Sequence, residues 1–138
     1  MIPKTTLAGL LASARSGEND PLRNWRPSVV ATTGQTATVN MTTADGSAYT
    51  VDWGDGTSST VASAANATRV YAGNYSGAIR ISSTGIFTQV NSWTGTVTLT
   101  GTTAQLPTGL TYLYLNSSSI ALTGTTAQLP TGLTDLYR

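Results

Sequence analysis

Thirteen consecutive residues of this 138-residue chain occur twice without a single change. Leu99-Thr-Gly-Thr-Thr-Ala-Gln-Leu-Pro-Thr-Gly-Leu-Thr111 returns as Leu122 to Thr134, a period of 23 residues. The next four positions keep the pattern loosely, Tyr112-Leu113-Tyr114-Leu115 being answered by Asp135-Leu136-Tyr137-Arg138. One period earlier, Phe87, Val90, Ser92, Val97 and Leu99 fall on Leu110, Leu113, Leu115, Ile120 and Leu122, so a degenerate first repeat begins near Ile86. Repeats this short cannot bury their own leucines. Each must lean on the next, which predicts a solenoid over residues 85–138 with coils about 4.8 Å apart and Leu113 in line with Leu136.

Charges are scarce and unevenly placed. They make up 9% of the chain, against about 25% in ordinary soluble domains. Lys4, Arg15, Glu18, Asp20, Arg23 and Arg26 open the chain, Asp45, Asp52, Asp55, Arg69 and Arg80 follow, and from Ile81 to Thr134 there is none. That neutral stretch must stay solvated through hydroxyls, amides and backbone, in a chain that holds 27 Thr, 14 Ser and 14 Gly. These shifts predict boundaries near residues 27 and 85, hence three parts. With no Cys and no His, the thiolate nucleophile, the Cys-ligated zinc site and the commonest general base are all missing. A net charge of +1 gives no basic footprint for nucleic acid, and no apolar run approaches the roughly 18 residues of a membrane span. The expectation is a mostly β, non-enzymatic protein without a cofactor, a nucleic-acid partner or a membrane span.

Residues 1–27 predict a short helix followed by an arm. Thr5 or Thr6 caps it, Leu7, Leu10, Leu11 and Ala14 form a stripe at helical spacing, and Gly17 ends it. Asn19-Asp20-Pro21 then turns the chain. Together with Arg23, Trp25 and Arg26, the Leu7, Leu10 and Leu11 stripe is expected to dock on another protein. Two other readings stay open. The helix lies on its own domain, or Lys4, the apolar Leu7 to Ala12 and Ala12-Ser13-Ala14 form a secretory signal, with an apolar centre shorter than the usual run of about 7–15 residues.

Residues 28–84 alternate as strands do. Ala37, Val39 and Met41 share one face, opposite Thr36, Thr38, Asn40 and Thr42. Tyr49, Val51 and Trp53 form a second inward set, and Tyr75, Gly77, Ile79 and Ile81 a third. Ala44-Asp45-Gly46 and Asp55-Gly56 supply turns, and short strands between polar turns predict a small β-sandwich. The run Asp52-Trp53-Gly54-Asp55-Gly56-Thr57, with Tyr71, Gly73 and Tyr75 after it, resembles the W-G-D-G-T turn and Y…G-x-Y strand of PKD-type domains. That resemblance implies an immunoglobulin-like sandwich serving as an extracellular spacer or adhesion module. Tyr71 stands only two residues before Gly73, closer than is usual in that family. Asp52 and Asp55 admit three roles: bonding within their own turn, calcium ligation, or acid–base catalysis. Calcium needs more oxygen donors than these two side chains supply, and no Glu, His or Lys stands nearby to tune a catalytic pair.

In the repeats, Leu110-x-x-Leu113-x-Leu115-x-x-Ser118-x-Ile120 resembles a leucine-rich repeat with Ser118 at its usual Asn position. Leu106-Pro107-Thr108-Gly109-Leu110 resembles the L-P-x-x-L start of bacterial forms. A short-coil β-solenoid without the horseshoe curve fits the same residues. Positions between the inward leucines face out, stacking Asn91, Tyr114 and Tyr137 in one column and Gln89, Tyr112 and Asp135 in a second. Thr88, Thr111 and Thr134 make a third, where paired hydroxyls are expected. Tyr112, Tyr114, Asp135 and Tyr137 are the candidate ligand face, because aromatic rings among neutral hydrogen-bonding groups suit a glycan or a protein surface. They equally suit the plain surface of a spacer.

Two roles are consistent with these parts. One is a bacteriophage virion fibre or decoration protein, homo-oligomeric or multicopy, docked on other virion proteins by its N-terminal segment and projecting the repeats. The other is an exported bacterial cell-surface adhesin. Cleavage after Ala14 would separate them.

Overall fold

The computed structural model describes residues 20–115 and 120–137. The expected helix with Leu7, Leu10 and Leu11, the Ala12-Ser13-Ala14 site, Ser118 and Arg138 lie outside them. The described chain is mostly β. In order it forms β1 (Asn24–Trp25), β2 (Ser28–Ala31), β3 (Thr36–Thr43), β4 (Tyr49–Asp52), β5 (Ser58–Val61), β6 (Asn66–Val70) and β7 (Tyr75–Ala78). Then come β8 (Arg80–Ser83), β9 (Phe87–Gly95), β10 (Thr98–Thr102), β11 (Tyr112–Tyr114), β12 (Ile120–Thr123) and β13 (Asp135–Tyr137). Single 3₁₀ turns at Thr103–Gln105 and Thr126–Gln128 occupy the same place in the two repeats.

Alternation decides the strands. Ala37, Val39 and Met41 are fully buried on one face of β3, while Thr36, Thr38, Asn40 and Thr42 are half-buried on the other. Tyr49, Val51 and Trp53 enter the same core. Between β3 and β4 the chain turns on Gly46 at φ +79°, with the Ser47 N–H donating to Asp45 Oδ1 at 3.0 Å. The Tyr49 hydroxyl donates to the carbonyls of Val39, at 3.0 Å, and Ala65, and burial pushes its phenol up to about 12. The third inward set is not one strand. Tyr75 and Gly77 sit on β7, paired with β2, whereas Ile81 sits on β8, between β1 and β4. The chain changes sheet at Ile79, whose N–H bonds the Pro27 carbonyl at 2.9 Å. Period two survives such a crossing, so the sequence pattern runs through it unbroken.

The strands form three sheets, ordered β1-β8-β4-β5, β12-β10-β2-β7 and β13-β11-β9-β3-β6. The boundaries expected near residues 27 and 85 do not divide this arrangement. β1 is an edge of the first sheet, pairing Asn24 with Ser82 and Trp25 with Ile81. β10 bonds antiparallel to β2, and β9 bonds antiparallel to β3 from Ala37↔Gly95 to Thr43↔Phe87. Buried side chains from Trp25 to Leu115 accordingly make one cluster. Composition changed at residue 81 because the surface changed, while the core continued.

Beyond β9 and β10 the pairing becomes parallel. Tyr112 lies between Gln89 and Asp135, and Leu113 between Val90 and Leu136, each step being the sequence period. The other ladder differs. Leu99 pairs with Ile120 and Gly101 with Leu122, two residues short of the match that places Leu99 on Leu122. A shift of two leaves every side chain on its original face, so hydrophobic pattern cannot separate the two registers.

Candidate functional site

The Asp52–Thr57 run closes the β4–β5 hairpin. Asp52 Oδ1 accepts the Gly54 N–H at 3.0 Å, and Asp55 Oδ1 accepts both the N–H of Thr57, at 3.1 Å, and its hydroxyl. Gly54 is required twice over. Its φ is +82°, and a Cβ there would sit 2.0 Å from the Tyr75 hydroxyl. The Trp53 indole N–H donates to the Ser59 hydroxyl at 2.9 Å. Buried Tyr71 donates its hydroxyl to the Trp53 carbonyl at 3.0 Å and stacks on Tyr75 with centroids 5.7 Å apart. Burial, followed by the nearby Asp55 charge, pushes the Tyr71 phenol far above its ordinary range. Gly73 has open space where a Cβ would stand.

Arg69, on β6, completes the turn: its Nε donates to Asp55 Oδ2 at 2.8 Å. Burial raises the Asp55 pKa, but the bonds from Thr57 and Arg69 outweigh it and hold the carboxyl below the usual carboxylate range. The two aspartates thus serve separate parts of the turn, and a cation at Asp55 would have to displace Arg69. Among the described residues no group of three or more His, Cys, Asp or Glu could hold a metal. Arg69 was not singled out from the sequence. Its signal was available, since it is the only cation between Arg26 and Arg80 and follows a pair of acids.

Of the expected docking arm, Leu7, Leu10 and Leu11 lie outside the described residues, while Trp25 and Arg23 belong to the scaffold. Trp25 is fully buried and packs edge-to-face on Trp93, with centroids 6.4 Å apart and planes at 73°. Neither indole N–H has an acceptor among the described residues. Arg23 pairs with Asp20, and its Nε donates to the Thr84 carbonyl at 3.1 Å. A tryptophan near a terminus reads as an anchor for a partner, yet its large apolar area serves equally well inside its own core. Arg26 is exposed.

The candidate ligand face does come together. Tyr112, Tyr114 and Tyr137 form a triangle with centroid separations of 6.5, 5.6 and 5.8 Å on the outer side of β11 and β13. Asp135 stands beside Tyr112 in the ladder, exposed, with Gln89 on the other side. Asn91 is drawn towards β3 instead: its amide donates to Asn40 Oδ1 at 2.8 Å and Thr42 Oγ1 at 2.6 Å. Asn40 in turn donates to Asn66 Oδ1 at 2.8 Å. The sheet therefore carries a tyrosine cluster at one end and a neutral amide–hydroxyl network along the rest. The threonine column forms, though not through paired hydroxyls. Thr111 Oγ1 donates to the Thr88 carbonyl at 3.2 Å, and Thr134 Oγ1 to the Thr111 carbonyl at 3.0 Å.

No family model, curated protein or solved structure matches this chain. No helix among the described residues is long and apolar enough to cross a membrane.

Proposed function

We propose that this is a non-enzymatic structural and adhesion protein, a bacteriophage virion fibre or decoration protein present in many copies. In this reading a PKD-type sandwich carries leucine-rich coils outward from a base formed by the N-terminal segment, with Leu7, Leu10 and Leu11 meeting other virion proteins. The observation that carries it is the pair of parallel ladders that extend two sheets, one stepping by the full 23-residue period from Leu113 to Leu136 and the other from Leu99 to Ile120. An elongating body built on main-chain bonds stays rigid with few charges. Strands on two separate sheets in each coil also suit a two-faced β-solenoid, so the leucine-rich form and the flat form share this support. Trp25 and Arg23 brace the base.

The tyrosine triangle favours a second reading, an exported bacterial cell-surface adhesin that holds a glycan or protein on Tyr112, Tyr114, Tyr137 and Asp135. Intact-mass measurement on the native protein tests both. A chain that retains its first 14 residues and copurifies with virus particles supports the virion role. Cleavage after Ala14, with the protein on bacterial cells, overturns it.

A further inference from the structure

The last described coil ends on two edge strands, β12 and β13. Between them, Leu113, Leu115, Ile120, Leu122, Leu129 and Leu136 line a cavity of about 130 Å³. What fits this end can be read one coil earlier, because the residues that form it are a copy of residues already covered. Leu113 is 1% exposed beneath the next coil, and its counterpart Leu136 is 44% exposed. Leu106 and Leu110 are buried, whereas Leu129 and Leu133 are half-buried. The polar groups repeat as well. The Thr111 carbonyl receives the Thr134 N–H at 2.9 Å, and the Thr103 hydroxyl donates to the Thr125 carbonyl at 3.2 Å. Thr134 and Thr126 hold those same positions on the outer coil.

Main-chain direction agrees. The Asp135 N–H bonds the Thr111 carbonyl at 3.1 Å, and the Tyr137 carbonyl accepts the Leu115 N–H at 2.9 Å. In a parallel strand successive residues bond to opposite sides, so Leu136 turns its N–H and C=O away from β11. We propose that this end is a docking surface for a further coil of the same 23-residue repeat, added in line. It would seat a leucine on Leu136, a threonine N–H and hydroxyl on the Thr134 carbonyl, and a tyrosine or aspartate beside Asp135. This assignment stands on the two ladders and is independent of what the protein binds.

The test appends a copy of residues 116–138 after Arg138, which keeps the 23-residue spacing. The expected result is a higher denaturant midpoint, a monomeric chain, and exchange of the Leu136 amide slowed about tenfold or more. A control extension with its leucines changed to asparagine should leave both readings at their original values. The proposal is overturned if the native-sequence extension protects Leu136 no better than that control. It is also overturned if the unextended protein dimerises with concentration-dependent protection of Leu136, because a second copy would then be the occupant.

Discussion

Residues 99–111 and 122–134 have the same sequence and nearly the same local structure, yet they differ in burial. Both fold into a 3₁₀ turn in which a glutamine side chain accepts a main-chain N–H, Thr102 to Gln105 at 2.9 Å and Thr125 to Gln128 at 3.3 Å. Both enter that turn through a glycine at positive φ, Gly101 at +140° and Gly124 at +125°. Their leucines nevertheless sit in a closed core in one copy and at an open end in the other. Thirteen residues determine the shape of a coil, but its neighbours determine what the coil contributes to stability.

The sharpest way to break that comparison is a matched pair of truncations. Leu113→Ala should cost about 2–5 kcal/mol, the range for cavities in a closed core, while Leu136→Ala should cost less than about 1 kcal/mol. Chemical denaturation measures both, and equal losses would show that the outer coil is as well packed as the inner. The glycines should behave alike instead. Gly101→Ala and Gly124→Ala force a Cβ into a left-handed conformation and onto Gln105 or Thr103, with an expected cost of about 1–3 kcal/mol each by the same measurement.

The sandwich supplies smaller effects that set it apart from the repeats. Tyr71→Phe removes the buried bond to the Trp53 carbonyl and should cost about 1–2 kcal/mol, whereas Tyr112→Phe on the outer face should change stability by no more than about 0.5 kcal/mol. Acid dependence is the weakest discriminator. The Asp55 carboxyl is held lower in the folded chain than the unfolded value of about 3.9. Its contribution is therefore present above that value and is lost as pH falls through the folded pKa. Asp55→Asn should flatten the fall in melting temperature below about pH 4, and an unchanged acid profile would place the acid sensitivity elsewhere. Between Ile81 and Thr134 there is no charged side chain to contribute to it.

Several features were legible because they are local. Alternation marked Ala37, Val39, Met41, Tyr49 and Val51 as inward, and Gly46 and Gly56 as turn residues. The 23-residue period gave the register of Leu113 on Leu136 and of Tyr114 on Tyr137, and so the tyrosine triangle. Other features were hidden. The sheet change at Ile79 preserves period two, and the offset of two in the Leu99–Ile120 ladder preserves it as well. Trp25 carries the same chemistry whether it meets a partner or its own core. Arg69 was legible as a lone cation, but it reaches Asp55 from a different sheet, across 14 residues of sequence, and no spacing rule names that partner.

The sequence alone settled the local shape of the two identical runs. Gly at positive φ, Thr and Gln closing a 3₁₀ turn, and leucines at fixed intervals are local requirements, and two identical runs must meet them in the same way. Tertiary structure decided that the repeats are not a separate part. β9 and β10 take their antiparallel partners from β3 and β2, so the repeat strands continue the sheets that come before them, and one core spans what composition divides. Strand edges carry the same main-chain groups in every sequence. Which edge they meet depends on the arrangement of the whole chain, because backbone bonding is blind to side-chain identity.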